Sequence, residues 1–88
     1  MPRFDTPGPV EIAKTLIWLM RDRGLMSPAD LCGVPRRELE QVSRSRKKAR
    51  STYETFEDAL EDAIASGWVE RYEVAGEPFF IPNYRRAA

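Results

Sequence analysis

Apolar and polar positions follow three different rhythms along the chain, and each predicts an element. Between residues 10 and 23, Ile12, Ala13, Leu16, Ile17, Leu19 and Met20 recur at helical spacing, with Glu11, Lys14, Arg21 and Asp22 between them. This predicts an amphipathic helix that starts near Pro9 and is stopped by Gly24. The nine residues ending at Pro9 hold three prolines and a glycine, so residues 1–8 read as an extended arm. Beyond Gly24, Leu25-Met26 forms a short apolar link. Ser27-Pro28-Ala29-Asp30 then has the order of a helix start, with Ser27 as cap, Pro28 in the first helical position and Asp30 at the positive end of the dipole. That helix is short: it holds Leu31 and Cys32 and meets Gly33 and Pro35. Residues 36–50 fit a further helix with Leu39 and Val42 as its only anchors.

The most legible period begins at Ser51-Thr52-Tyr53-Glu54, which has capping-box spacing. Phe56, Ala59, Leu60, Ala63, Ile64 and Ala65 fall on one face of the predicted helix, while Glu54, Glu57, Asp58, Glu61 and Asp62 occupy the other. Gly67 closes it. After it the rhythm changes to strand-like runs, Trp68 to Val74 and Pro78 to Ile81, joined across Ala75-Gly76-Glu77 as a hairpin with a glycine in its turn. The helix over residues 52–66 is expected to pack Phe56, Leu60 and Ile64 against Leu16, Ile17 and Trp68. Trp18 and Phe80 are also assigned to the core, and strand alternation sends one of Tyr72 and Phe79 outward. The arm and residues 84–88 hold too few apolar anchors to repay ordering and are expected to be flexible, which leaves residues 9–83 as the domain.

A chain of 88 residues has room for one domain with a modest core, and this excludes a two-domain enzyme. With 42% hydrophobic and 32% charged residues it is too apolar for a disordered chain and too polar for a membrane protein. No run reaches signal-peptide or membrane-spanning length, so a cytoplasmic location is expected. Cys32 is the single cysteine and histidine is absent. Internal disulfides, Cys/His zinc sites and imidazole-based triads are therefore excluded. The glycines are isolated rather than gathered into a phosphate-binding loop. No nucleophile stands beside a base, and we expect no cofactor, no metal and no catalysis.

The run Asp58-Ala59-Leu60-Glu61-Asp62-Ala63-Ile64-Ala65-Ser66-Gly67-Trp68-Val69-Glu70-Arg71 resembles the passage from third helix to first wing strand in the winged helix-turn-helix superfamily. Gly76-Glu77-Pro78-Phe79-Phe80-Ile81-Pro82-Asn83 is similar to the wing at the C-terminus of certain phage and plasmid primase-helicase proteins. The resemblance implies a mainly α fold with a C-terminal β-hairpin: three to four helices plus a two-stranded wing. It also implies nucleic-acid binding, in phage or plasmid replication or in transcriptional regulation. One departure matters. A helix that reads the major groove is expected to expose Arg, Lys, Asn, Gln, Ser or Thr, whereas the corresponding helix here exposes five carboxylates.

The formal net charge is zero, but the charges are segregated. Residues 36–50 carry Arg36, Arg37, Arg44, Arg46, Lys47, Lys48 and Arg50 against Glu38 and Glu40, whereas residues 51–77 carry eight carboxylates against Arg71 alone. Nucleic acid is the expected partner, contacted through those seven basic residues with Arg71 added from the wing. Steep salt dependence follows from counterion release. The alternative is a protein partner, basic or another copy of the chain, docked on Glu54, Glu57, Asp58, Glu61 and Asp62. A membrane or a small-molecule substrate has no support in the pattern.

Overall fold

Among the described residues of the computed structural model, 2–22, 33–46 and 50–83, the chain forms three helices and a three-stranded antiparallel sheet. The elements in order are α1 (Pro9–Asp22), β1 (Val34–Pro35), α2 (Arg36–Arg46), α3 (Phe56–Ala65), β2 (Val69–Val74) and β3 (Glu77–Pro82), and the strands lie side by side as β1-β3-β2. Gly24, the short helix expected from Ser27 to Cys32, Lys47, Lys48 and the tail from residue 84 lie outside the described residues.

Helix α1 buries Ile12, Ala13, Leu16, Leu19 and Met20, as its period predicts. The Gly8 carbonyl accepts the first helical bond from the Ile12 N–H at 3.0 Å. Trp18 corrects the expected core: it falls at the margin of the apolar face and is 41% exposed. Ile17 is only half-buried. Helix α3 contributes Phe56, Ala59, Leu60 and Ala63 to the same core, with Ile64 and Trp68 packed at its border. Helix α2 adds Leu39 and the small residue Ser43, one turn further along the same face.

The start of α3 differs from the expected one. Ser51 does not cap a helix, because its backbone is spent elsewhere: Phe4 N–H donates to the Ser51 carbonyl at 2.7 Å and Ser51 N–H to the Phe4 carbonyl at 3.1 Å. Thr55 is the cap instead, its hydroxyl accepting the Asp58 N–H at 3.1 Å, which uses the same Ser/Thr-x-x-Asp/Glu spacing four residues later. The other end is as the glycine predicts. Gly67 at φ +80 lets its own N–H reach the Ile64 carbonyl (3.1 Å) and the Trp68 N–H reach the Ala63 carbonyl (2.9 Å), a Schellman termination that turns the chain into β2.

In the hairpin, register runs from Val69 opposite Pro82 to Val74 opposite Glu77. The two-residue turn holds Ala75 at φ 52 and Gly76 at φ 80, the positive-φ pair that a type I′ turn demands. Strand β1 is an addition to the expected two-stranded unit: Val34 and Pro35 pair with Phe80 and Phe79. Gly33 leads into it at φ +82, where a Cβ would stand 2.3 Å from the Phe80 carbonyl oxygen, so only glycine lets the two backbones approach this closely.

The arm is also corrected. Beyond the Phe4–Ser51 bridge, Thr6 is 3% exposed and Pro7 is fully buried, so residues 4–7 are part of the packed structure. Two backbone hydrogen bonds and a buried proline supply the anchors that apolar counting did not find. No helix among the described residues is long and apolar enough to cross a membrane.

Candidate nucleic-acid interface

The basic residues expected to act together are divided by the fold between two ends of α2. At its start, Arg36 donates from Nε to Glu57 Oε2 at 2.8 Å and from Nη1 to Glu40 Oε1 at 3.1 Å, and its guanidinium lies 5.6 Å from the centre of the Phe56 ring. Arg36 is thus committed to the carboxylates of its own chain and ties α2 to α3. Arg37 beside it is exposed. Arg71 on β2 pairs with Glu73 at 3.3 Å. Both Arg36 and Arg71 line a groove of about 450 Å³ between α3 and the hairpin, together with Glu57 and Glu61 and over a floor that includes Leu60, Ile64 and Phe80. Arg36 and Arg71 therefore do not join the other predicted cations.

Ten residues later, about 15 Å along the helix at 1.5 Å per residue, the arrangement is different. Arg44 donates from Nε to Glu40 Oε2 at 3.1 Å and from Nη1 to the Asp5 carbonyl at 3.2 Å. Arg46 lies over the Trp18 ring, its guanidinium 4.2 Å from the ring centre. Arg50 donates to the Arg3 carbonyl, and Arg3 returns a bond to the Arg50 carbonyl at 3.3 Å. Lys14 of α1 lines a small cleft of about 260 Å³ with Glu11, Thr15 and Arg46.

The cations thus fall into two groups drawn from separated stretches of chain: Arg3, Arg44 and Arg50 where the arm meets the close of α2, and Lys14 with Arg46 beside Glu11 at the α1 cleft. The partners that orient Arg3, Arg46 and Arg50 are two carbonyls and an indole ring. Neutral partners of this kind fix a guanidinium in place without cancelling its charge.

Arg3, Lys14 and Trp18 were missed by reading the chain in order. Lys14 and Trp18 stand four residues apart on one exposed strip of α1, a spacing that was available. Arg3 had no local signal, because the bonds that place it run to residue 50.

The acidic face is in large part exposed, with Glu54, Glu57, Asp58 and Glu61 open to solvent. Asp62 is half-buried and engaged: Tyr53 donates its phenol proton to Oδ2, and Ser66 donates to Oδ1 at 3.1 Å. The bond to Asp62 raises the pKa of the Tyr53 phenol from its ordinary 10.0, with burial and the nearby negative charge acting in the same direction. Among the described residues no group of three or more Cys, Asp or Glu side chains converges as a metal-ligand set.

Comparison with protein-family models, with curated proteins and with solved structures finds no match in any of the three.

Proposed function

We propose that the chain is a non-catalytic winged helix-turn-helix module that binds nucleic acid through the phosphate backbone, using the basic end formed by the arm, α1 and the close of α2. The element order among the described residues supports the winged-helix reading: three helices, a short strand between α1 and α2, and a C-terminal hairpin that serves as the wing. One observation carries the choice of surface. Arg3, Arg44 and Arg50 meet at the arm and Lys14 meets Arg46 at the α1 cleft, each group drawn from distant parts of the sequence, and Lys47 and Lys48 follow Arg46 in the sequence.

Helix α3, which would enter the major groove in the usual docking, presents Glu57, Asp58 and Glu61 to solvent. Phosphates at groove width repel that face. Contacts made to phosphate by cations alone fix position without reading bases, so the proposed binding has little sequence preference. Its test is a salt series of fluorescence anisotropy with labelled duplex and single-stranded DNA. The reading expects a Kd of about 10⁻⁴ to 10⁻⁶ M at physiological salt, and a log–log slope of about −4 if four or five phosphates are neutralised. Failure to bind DNA or RNA even at low salt overturns it.

A second reading is favoured by the groove between α3 and the hairpin. Its apolar floor with Glu57 and Glu61 at the rim suits a basic, partly apolar segment of another protein. In that case the acidic face is the functional one, and nucleic-acid affinity is absent.

A further inference from the structure

Strand β2 is an edge of the sheet, since β3 lies on one side of it and no strand lies on the other among the described residues. All of its residues from Glu70 to Val74 are exposed, including Tyr72 at 47% and Val74 at 42%. A six-residue edge strand with unpaired backbone groups and exposed apolar side chains is a template for pairing unless something blocks it. Here there is no proline or lysine in the strand, and its pairing with β3 is regular throughout.

The direction of the free backbone groups follows from β3. Its prolines, Pro78 and Pro82, stand opposite Glu73 and Val69. Proline has no N–H, so these pairs do not exchange ladder bonds, and the alternation of an antiparallel pair assigns those bonds to Glu70, Tyr72 and Val74. The N–H and C=O groups of Val69, Arg71 and Glu73 therefore point out of the free edge.

We propose that this edge pairs with the β2 of a second copy of the chain, antiparallel and centred on Tyr72, to make one continuous six-stranded sheet. A two-fold axis normal to the sheet keeps every side chain on its own face, so the pairing must centre on a residue. Centred on Tyr72, it sets Arg71 of each copy directly opposite Glu73 of the other, and those are the residues whose backbone groups face outward. Two opposed pairs exchange four backbone hydrogen bonds, and each brings a cation against a carboxylate. The competing registers lose this match: centring on Arg71 opposes two arginines, while centring on Glu70 or Glu73 opposes two carboxylates. On the other face Tyr72 meets its symmetry mate in the closer, non-hydrogen-bonded position. Phe79, which is paired with Tyr72 inside each copy, extends the row to four aromatic rings.

The groups that Arg71 and Glu73 use in this pairing are exposed in the single chain, where the two side chains bond each other at 3.3 Å. Exchanging that contact for one across the axis costs little, because exposed pairs of this kind contribute little. A pairing through one strand has a small interface, so the dimer is a weak one.

Sedimentation equilibrium without nucleic acid, from about 20 µM to 2 mM, tests this in the range where weak association is populated. The wild type is expected to shift from monomer to dimer across it. Arg71→Glu and Glu73→Arg, each checked for an unchanged circular dichroism spectrum, are each expected to weaken the dimer about tenfold, through two like-charge pairs per dimer. Mixing the two variants one to one restores association as a heterodimer, and the double variant restores it in one chain. A wild type that stays monomeric at the highest concentration overturns the proposal, as does a dimer whose stability both single variants and their mixture leave unchanged. Because no nucleic acid is present, neither result bears on the proposed function.

Discussion

The two charged regions of this molecule are built by opposite means. The acidic region is local: α3 and the hairpin that follows it place their carboxylates by helical and strand periods that a stretch of about thirty residues contains in full. The basic region is assembled from afar, with residues 3, 44 and 50 joined at the arm by a backbone bridge, carbonyl oxygens and Glu40, and residues 14 and 46 joined at the α1 cleft beside an indole ring. The difference decides what each can do. Carboxylates spread along a helix face accompany any stable α3, whereas a convergence of cations that depends on long-range bonds exists only in the folded chain. Such a convergence is the better candidate for a surface selected to meet a polyanion.

If the regions differ in this way, perturbing the shared core must remove both, while perturbing the arm must damage the basic end more than the acidic one. Leu60→Ala, at a side chain 2% exposed, is expected to cost about 2–5 kcal/mol. Chemical denaturation measures it, and a variant that melts like the parent refutes the core assignment. Deleting residues 2–7 removes the Phe4–Ser51 bridge and the buried Thr6 and Pro7. We expect a loss of about 2–3 kcal/mol, accompanied by a clear drop in DNA affinity because Arg50 and Arg44 lose the carbonyls that orient them. Unchanged stability would show that the arm is dispensable.

How much of this was legible before the structure divides along the same line. The periods of α1 and α3, the glycine termination at Gly67 and the hairpin were readable, because their determinants lie within a turn or two of one another. Strand β1 was not: Val34–Pro35 is two residues long and its partners, Phe79 and Phe80, are some forty-five residues away. The capping position slipped because Ser51 and Thr55 both stand three residues before an acid, and only the bridge to Phe4 decides between them. Arg36 and Arg44 look equivalent in the sequence. Both pair with Glu40, but Arg36 adds Glu57, twenty-one residues on, whereas Arg44 adds the Asp5 carbonyl, a distinction that no local pattern carries. Trp18 looked like core and is instead a platform under Arg46.

The binding contrast is sharpened by charge substitutions on the two regions. Lys14→Glu with Arg46→Glu should weaken duplex binding by about 10- to 100-fold and reduce the magnitude of the salt slope by about two, one for each lost phosphate contact. Glu57→Gln with Glu61→Gln should instead strengthen it, by about threefold or less, since repulsion is relieved and Arg36 loses its Glu57 partner. Anisotropy titrations measure both. If the acidic pair matters more than the basic pair, the assignment of faces is inverted.

The smallest expected effect lies at the acidic region, where Tyr53 donates to Asp62. Its phenol pKa is raised in the folded chain, so its contribution is fully present below the ordinary value of 10.0 and is lost as pH rises through the raised folded value. Denaturation midpoints measured from pH 9 upward should fall less steeply for Tyr53→Phe than for the parent. Equal slopes would remove the bond from the account.

The central claim is that phosphate meets the arm, α1 and the close of α2, and not α3. Backbone amide chemical shifts of the isotope-labelled chain, followed through a titration with a short DNA duplex, test it residue by residue. The account predicts that the largest changes fall at Arg3, Lys14, Trp18 and residues 44–50, with Phe56–Ala65 and the hairpin nearly still and all changes fading as salt is raised. Changes concentrated on Phe56–Ala65 would place the nucleic acid against the carboxylates and contradict it.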